Sequence, residues 1–119
     1  MATSGHIGIS RGNDKVEYIY VHFDAYPEYM WGMLKENYSD PEKAEKLIAL
    51  GDCSSVDKEV DIPEGVEHSF DRPVDGITVA YHRDRGEDWE DVHPQICDEK
   101  DFNGYLFKDG EWLYMPKRY

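Results

Sequence analysis

Two His-x-Asp triplets, His22-Phe23-Asp24 and His82-Arg83-Asp84, stand at the ends of strand-like runs. In a strand, residues i and i+2 project from one face, so each triplet would set an imidazole beside a carboxylate. That pairing orients and charges a histidine for use as a base, an anion clamp or a metal ligand. If the two strands are neighbours, both pairs converge with Tyr18, Tyr20 and Tyr26. Arg83 and Arg85 bracket Asp84 beside Gly86, and arginine forks hold phosphate or carboxylate in two-point contacts. His22, Asp24, Tyr26, His82, Arg83 and Arg85 are therefore the candidate ligand face. Plainer readings stand beside it. With 26 acidic residues in 119, such triplets arise readily, and tyrosines suit the outer side of a half-buried sheet. The arginines also have internal partners at hand in Glu87, Asp88, Glu90 and Asp91. No cluster has metal-ligand spacing, so neither a metal nor a cofactor is expected.

A second chemistry lies in the charge. The formal net charge is −13 with histidines neutral, and it is unevenly placed. Residues 51–75 carry a net −6 and residues 84–101 another −6. The acids expected to form a contact surface are Asp57, Glu59, Asp61, Glu64 and Glu67 in the first stretch, and Asp84, Glu87, Asp88, Glu90 and Asp91 in the second. Solvated loops that keep a small protein soluble have this composition too. The sharper expectation is a negative surface shown to a cationic partner. This acidity argues against direct binding of nucleic acid or of an anionic membrane by charge attraction. No apolar run is long enough to span a bilayer, and MATSGHIGISRGND lacks the apolar core of a signal peptide, so a cytoplasmic protein is expected. Cys53 and Cys97 form no C-x-x-C pair and read as two small semi-buried thiols, with no sequence support for a disulfide.

The elements that must position these residues follow from periodicity. Ile7 and Ile9 alternate with small and polar neighbours, Arg11-Gly12-Asn13-Asp14 supplies a turn, and Val16–Phe23 alternates with Ile19, Val21 and Phe23 on one face. Met30, Met33, Leu34 and Tyr38 recur at helical spacing. A second helix starts at Ser39-Asp40-Pro41-Glu42, capped by Asp40 or by a Ser39/Glu42 box, and stops at Gly51. At most one short strand, about Lys58–Ile62, is expected in residues 52–76, followed by a stronger strand over Ile77–His82. Residues Arg83–Asp88 read as a charged loop with Trp89 as its apolar anchor, and Asp98–Gly104 as a helical turn or loop. Tyr105–Lys108 and Glu111–Tyr114 flank Asp109-Gly110, a two-residue type I′ hairpin signal. The fold class is α+β, one domain over residues 1–119. Its antiparallel sheet is built from N- and C-terminal hairpins plus a central strand, with two short helices packed on one face.

Three segments taken together, Tyr18–Glu28 (YIYVHFDAYPE), Lys46–Ser54 (KLIALGDCS) and Thr78–Glu87 (TVAYHRDRGE), resemble a family of small, mostly uncharacterised proteins of bacteriophages, prophages and their bacterial hosts. Those relatives usually have Gly where Ala25 stands, and their last hairpin is similar to Phe107–Trp112 (FKDGEW). The resemblance covers most of the chain and carries no established activity, so it assigns no catalytic residue. It implies a phage or mobile-element accessory protein made in bacterial cytoplasm. In that setting the first expectation is a non-enzymatic inhibitor of a host defence protein or nucleoprotein complex, anti-CRISPR or anti-restriction in kind. It would act by imitating the phosphate charge that fills a cationic channel. The alternative is a binder or hydrolase of a small nucleotide signal, using the His/Asp/Arg/Tyr face.

Overall fold

The structure, a computed structural model, describes residues 3–116. An N-terminal hairpin opens the chain: β1 (Gly5–Gly12) and β2 (Lys15–Val21) pair antiparallel through Ile7↔Ile19. Asn13 and Asp14 both take left-handed backbone angles, as a two-residue turn of this hand requires. Helix α1 (Pro27–Asn37) follows, then α2 (Pro41–Ala49). Asp40 caps α2 by accepting the Glu42 N–H at 3.0 Å. Ser39 instead turns back to the Lys35 carbonyl at the end of α1, so the Asp40 alternative is the one realised. Gly51 closes α2 at φ 80°. A side chain there would run into the Val92 carbonyl, so both conformation and space require glycine.

β3 (Cys53–Ser55) returns parallel to β2, and β4 (Val79–Ala80) adds antiparallel to β3. Two short helices, α3 (Tyr81–Arg85) and α4 (Trp89–Val92), precede β5 (Gln95–Asp98), which pairs antiparallel with the first half of β2. A 3₁₀ turn (Glu99–Asp101) leads into the final hairpin, β6 (Gly104–Lys108) and β7 (Glu111–Met115). Asp109 and Gly110 have φ 53° and 80°, the expected type I′ signature. Strand order is β4-β3-β2-β1-β6-β7, with β5 beside β2.

The α+β class is as expected, with four corrections. The sheet is mixed rather than antiparallel, because β1 pairs parallel with β6 and β2 with β3. Both pairs join strands separated by long excursions, and only such crossovers permit parallel neighbours. The expected strand Ile77–His82 shrinks to Val79–Ala80, since the Asp84 carboxylate takes the Ala80 N–H at 2.7 Å and the chain coils into α3. The expected strand Lys58–Ile62 is a single parallel bridge, Glu59↔Ile77. Phe23 also leaves its expected inward position: β2 ends at Val21, Asp24 turns at φ 60°, and the Phe23 ring is 44% exposed.

The main core fills the helix side of the sheet. Ile7, Ile9, Ile19, Val21, Tyr105, Phe107 and Trp112 meet Met30, Leu34, Tyr38, Ala44, Leu47 and Ile48. Trp112 donates its indole N–H to the Tyr38 carbonyl at 3.0 Å, tying the last hairpin to the end of α1. On the other side Val16, Phe102 and Leu106 make a smaller cluster. The Cα radius of gyration, 13.6 Å, is that of a single unit of this length. Cys53 and Cys97 are both free thiols. They pair with Val21 and Val16, five residues apart along β2, which separates them by roughly 16 Å and excludes a bond between them.

Candidate functional site

Around α3 the two acidic stretches are joined by a buried polar clamp. Asp84 was expected on the contact surface, but its side chain is only 1% exposed. Its two oxygens take the Arg83 fork at 2.9 and 3.1 Å and the Ala80 N–H at 2.7 Å, and Oδ2 lies 3.5 Å from His68 Nε2. A carboxylate this dry is stable only with its charge balanced and its lone pairs filled, which fixes it as a structural group rather than a contact residue. Arg83 also donates to the carbonyls of Val60 and Thr78. One guanidinium thus binds Val60, the residue that precedes β4, and α3 together. The His68 side chain is fully buried, and its Nδ1 accepts the Val74 N–H at 3.0 Å. The ring proton therefore sits on Nε2, facing the Thr78 carbonyl at 3.2 Å. The Phe70 N–H donates to the Asp84 carbonyl, and Arg85 lies over the Phe70 ring at 4.6 Å. Residues 57–78, outside any strand or helix, are thus tied to the rest of the fold at residues 60, 68, 70 and 78.

What this clamp leaves on the surface is a subset of the expected acids. Asp57 accepts the Lys58 and Gly76 N–H groups, so its carboxylate organises the loop. Glu59 faces Lys43 at 3.7 Å and Asp61 faces Lys46 at 2.9 Å, so α2 partly neutralises this edge. Glu87 pairs with Arg85 at 3.3 Å, and Asp88 caps α4 by accepting the Glu90 N–H at 3.1 Å. Glu64, Glu67, Glu90 and Asp91 are exposed and have no cationic partner among the described residues. They come from both acidic stretches, which the Phe70–Asp84 hydrogen bond links at one point.

The six side chains of the expected ligand face are not assembled. On a helix, i and i+2 point to different sides, so the His82-x-Asp84 pairing is lost when this segment coils. His82 Nδ1 lies 2.8 Å from the Glu87 carbonyl, and its ring meets the edge of Trp89 at 5.0 Å. Arg83 and Arg85 are engaged as above. At the other triplet, His22 Nδ1 lies 2.7 Å from the Tyr20 hydroxyl rather than beside Asp24, whose left-handed turn carries it off the strand. Tyr26 packs against Tyr29.

A different polar group, unforeseen in the triplets, lines the sheet face opposite the helices. His6 sets its ring against Tyr18 and Tyr20 at 5.3 and 6.2 Å. Asp52 accepts the Tyr20 N–H at 2.9 Å, and its carboxyl is pushed up by burial. Burial lowers the His6 imidazole. The signal was present in the alternation of β1 against β2, which places His6 opposite Tyr20, but Asp52 arrives from a loop whose position only the fold sets. Among the described residues no cluster of three or more His, Cys, Asp or Glu side chains is disposed to hold a metal ion, and no helix is long and apolar enough to cross a membrane. Compared with known protein families, with curated proteins and with solved structures, the chain finds no match.

Proposed function

We propose that this chain is a non-enzymatic accessory protein of phage type that inhibits a host defence nucleoprotein complex, anti-CRISPR or anti-restriction in kind, by occupying its cationic nucleic-acid channel. The observation that carries this reading is the clamp. Arg83 and Asp84 form an ion pair, braced by the His68 ring, that links the two acidic stretches, while Glu64, Glu67, Glu90 and Asp91 stay exposed and unneutralised among the described residues. Exposed carboxylates without cationic partners are drawn to a positive surface. Fixing carboxylates on a rigid backbone also lowers the entropy lost on docking. The net charge of −13 speeds encounter with such a channel and rejects free nucleic acid. No cofactor enters.

The test is protection in cells. Expressed in bacteria that carry an active CRISPR or restriction system, the chain should raise the plating efficiency of a targeted phage. The quadruple reversal Glu64→Lys, Glu67→Lys, Glu90→Lys and Asp91→Lys should not. Equal protection by the reversed variant, or none by either protein across a panel of such systems, would overturn the proposal.

A further inference from the structure

Against β3 and β4 lies a hollow of about 240 Å³. Phe70, Val74, Ile77 and Val79 give it apolar walls, and Asp57 and Asp75 are the charged residues in its lining. Recorded bonds bring the two acids to one turn. Asp57 Oδ2 accepts the Gly76 N–H at 3.2 Å, and Asp75 is the residue before that glycine. Asp57 Oδ1 accepts the Lys58 N–H at 2.8 Å, so the carboxylate is fixed from both oxygens. The Glu59 N–H donates to the Gly76 carbonyl at 2.9 Å and ties the two segments together. No lysine or arginine lines the hollow, and neither acid has a cationic partner among the described residues. Arg85 lies over the Phe70 ring, but it pairs with Glu87 and is not in the lining. Other hollows on the molecule differ in this respect. Beside α2, Lys43 and Lys46 face Glu59 and Asp61, and beside the first turn Lys15 faces Asp98. Those sites answer their own charge. The hollow at β3 and β4 does not.

Size and chemistry together select the occupant. Cavities for cofactor-sized ligands run to about 300–1,000 Å³, so this one suits a single side chain. A long basic side chain lays its methylenes along an apolar wall while its charged head meets a carboxylate. An apolar side chain would strip water from the two acids without replacing it, and an acidic one would be repelled. We infer that the hollow at β3 and β4 is a socket for one lysine or arginine side chain of a protein partner, with its head held by Asp57 and Asp75. This deepens the proposed function, on which it rests. The exposed acids attract a positive surface, and the socket sets the register of docking by taking in one basic side chain from it.

The probe is n-butylammonium, the chemical equivalent of a lysine side chain, with 1-butanol as its neutral isostere. Each is titrated at constant ionic strength into the isotopically labelled full chain and followed by amide chemical shifts. Butylammonium should bind roughly two- to fivefold more tightly than butanol for each carboxylate engaged, with the largest shifts at Ser54–Asp57 and Val74–Val79. Asp75→Asn removes an exposed charge and keeps the side chain's shape, so the fold survives. It should lose that factor for butylammonium and keep its affinity for butanol. Glu90→Gln with Asp91→Asn removes two charges that do not line the hollow and should leave both affinities in place. Equal affinity for the two probes, shifts centred elsewhere, or an equal loss in the Asp75 and Glu90/Asp91 variants would overturn the socket. Those outcomes leave the acidic-face reading intact, because it stands on Glu64, Glu67, Glu90 and Asp91 and is tested by phage protection.

Discussion

Replacing Arg83 with alanine removes four hydrogen bonds at once: two to Asp84 and one each to the Val60 and Thr78 carbonyls. Thr78 keeps His68 as a partner, and Asp84 keeps the Ala80 N–H. The Val60 carbonyl and a carboxylate with a 1% exposed side chain are left short. Breaking a buried pair by deleting one member costs about 3–5 kcal/mol. The Arg83 side chain is itself partly open to water, which will enter the gap, so the lower end, about 3 kcal/mol, is expected. Against a typical stability of about 5–15 kcal/mol this is a large loss. Urea denaturation would measure it, and hydrogen exchange would locate it, with the Phe70, Thr78 and Ala80 amides losing protection before the β1–β2 ladder does. Arg83→Lys should recover less than half of the loss, because the charge returns without the fork. Arg83→Ala combined with Asp84→Ala should be less destabilised than Arg83→Ala alone, because no orphan charge remains buried. A loss below about 1 kcal/mol, or unchanged exchange in residues 68–80, would refute the clamp as the element that orders the acidic face.

Further expectations follow from other parts of the fold. A thiol reagent should modify Cys97 in the native protein and Cys53 only after unfolding, because Cys53 is fully buried and burial pushes its thiol up. Two fast-reacting thiols would contradict that packing. Asp52→Asn keeps an oxygen for the Tyr20 N–H and removes a carboxylate whose burial favours the protonated form. Since the folded carboxyl titrates above its unfolded value of 3.8, its ionisation costs stability as pH rises through the folded value. The variant should therefore gain melting temperature over wild type from pH 4 to pH 7, and a gap that closes toward neutrality would be the wrong sign. Gly8→Ala puts a Cβ 2.6 Å from Val16 Cγ1 and 3.1 Å from the Phe102 ring. The expected loss is about 1–3 kcal/mol by overpacking, read from the denaturation midpoint, and a neutral result would mean the outer cluster is looser than described.

Where the determinants were local, the sequence was legible. Asp109-Gly110 sets the last hairpin by backbone preference alone, and Asp40-Pro41 with Gly51 brackets α2 at both ends. The alternation of Ile7 and Ile9 against Ile19 and Val21 named the inner face of the first hairpin. Failures came where distant groups decide. Thr78–His82 alternates like a strand, yet Asp84 captures the Ala80 amide and bends the chain into a helix. β5, with an Ile96 that is 65% exposed, has no apolar periodicity to announce it and exists because the edge of β2 is free to pair. The same logic governs the site. Clusters of acids could be counted from composition, but not that Asp84 would be buried, that Asp57 and Asp88 would bond backbone amides, or that His68 would complete the clamp. Those roles depend on which backbone amides and carbonyls the tertiary fold brings within reach.

The most direct test of the acidic-face account is competition for a host defence complex: displacement of a labelled duplex from the complex's channel, followed by fluorescence anisotropy from about 0.05 M to about 0.5 M salt. The account expects displacement that weakens steeply as salt rises and disappears at every salt concentration in the Glu64/Glu67/Glu90/Asp91 lysine reversal, with that variant's melting temperature kept. Displacement that is indifferent to salt, or undiminished by the reversal, would contradict it.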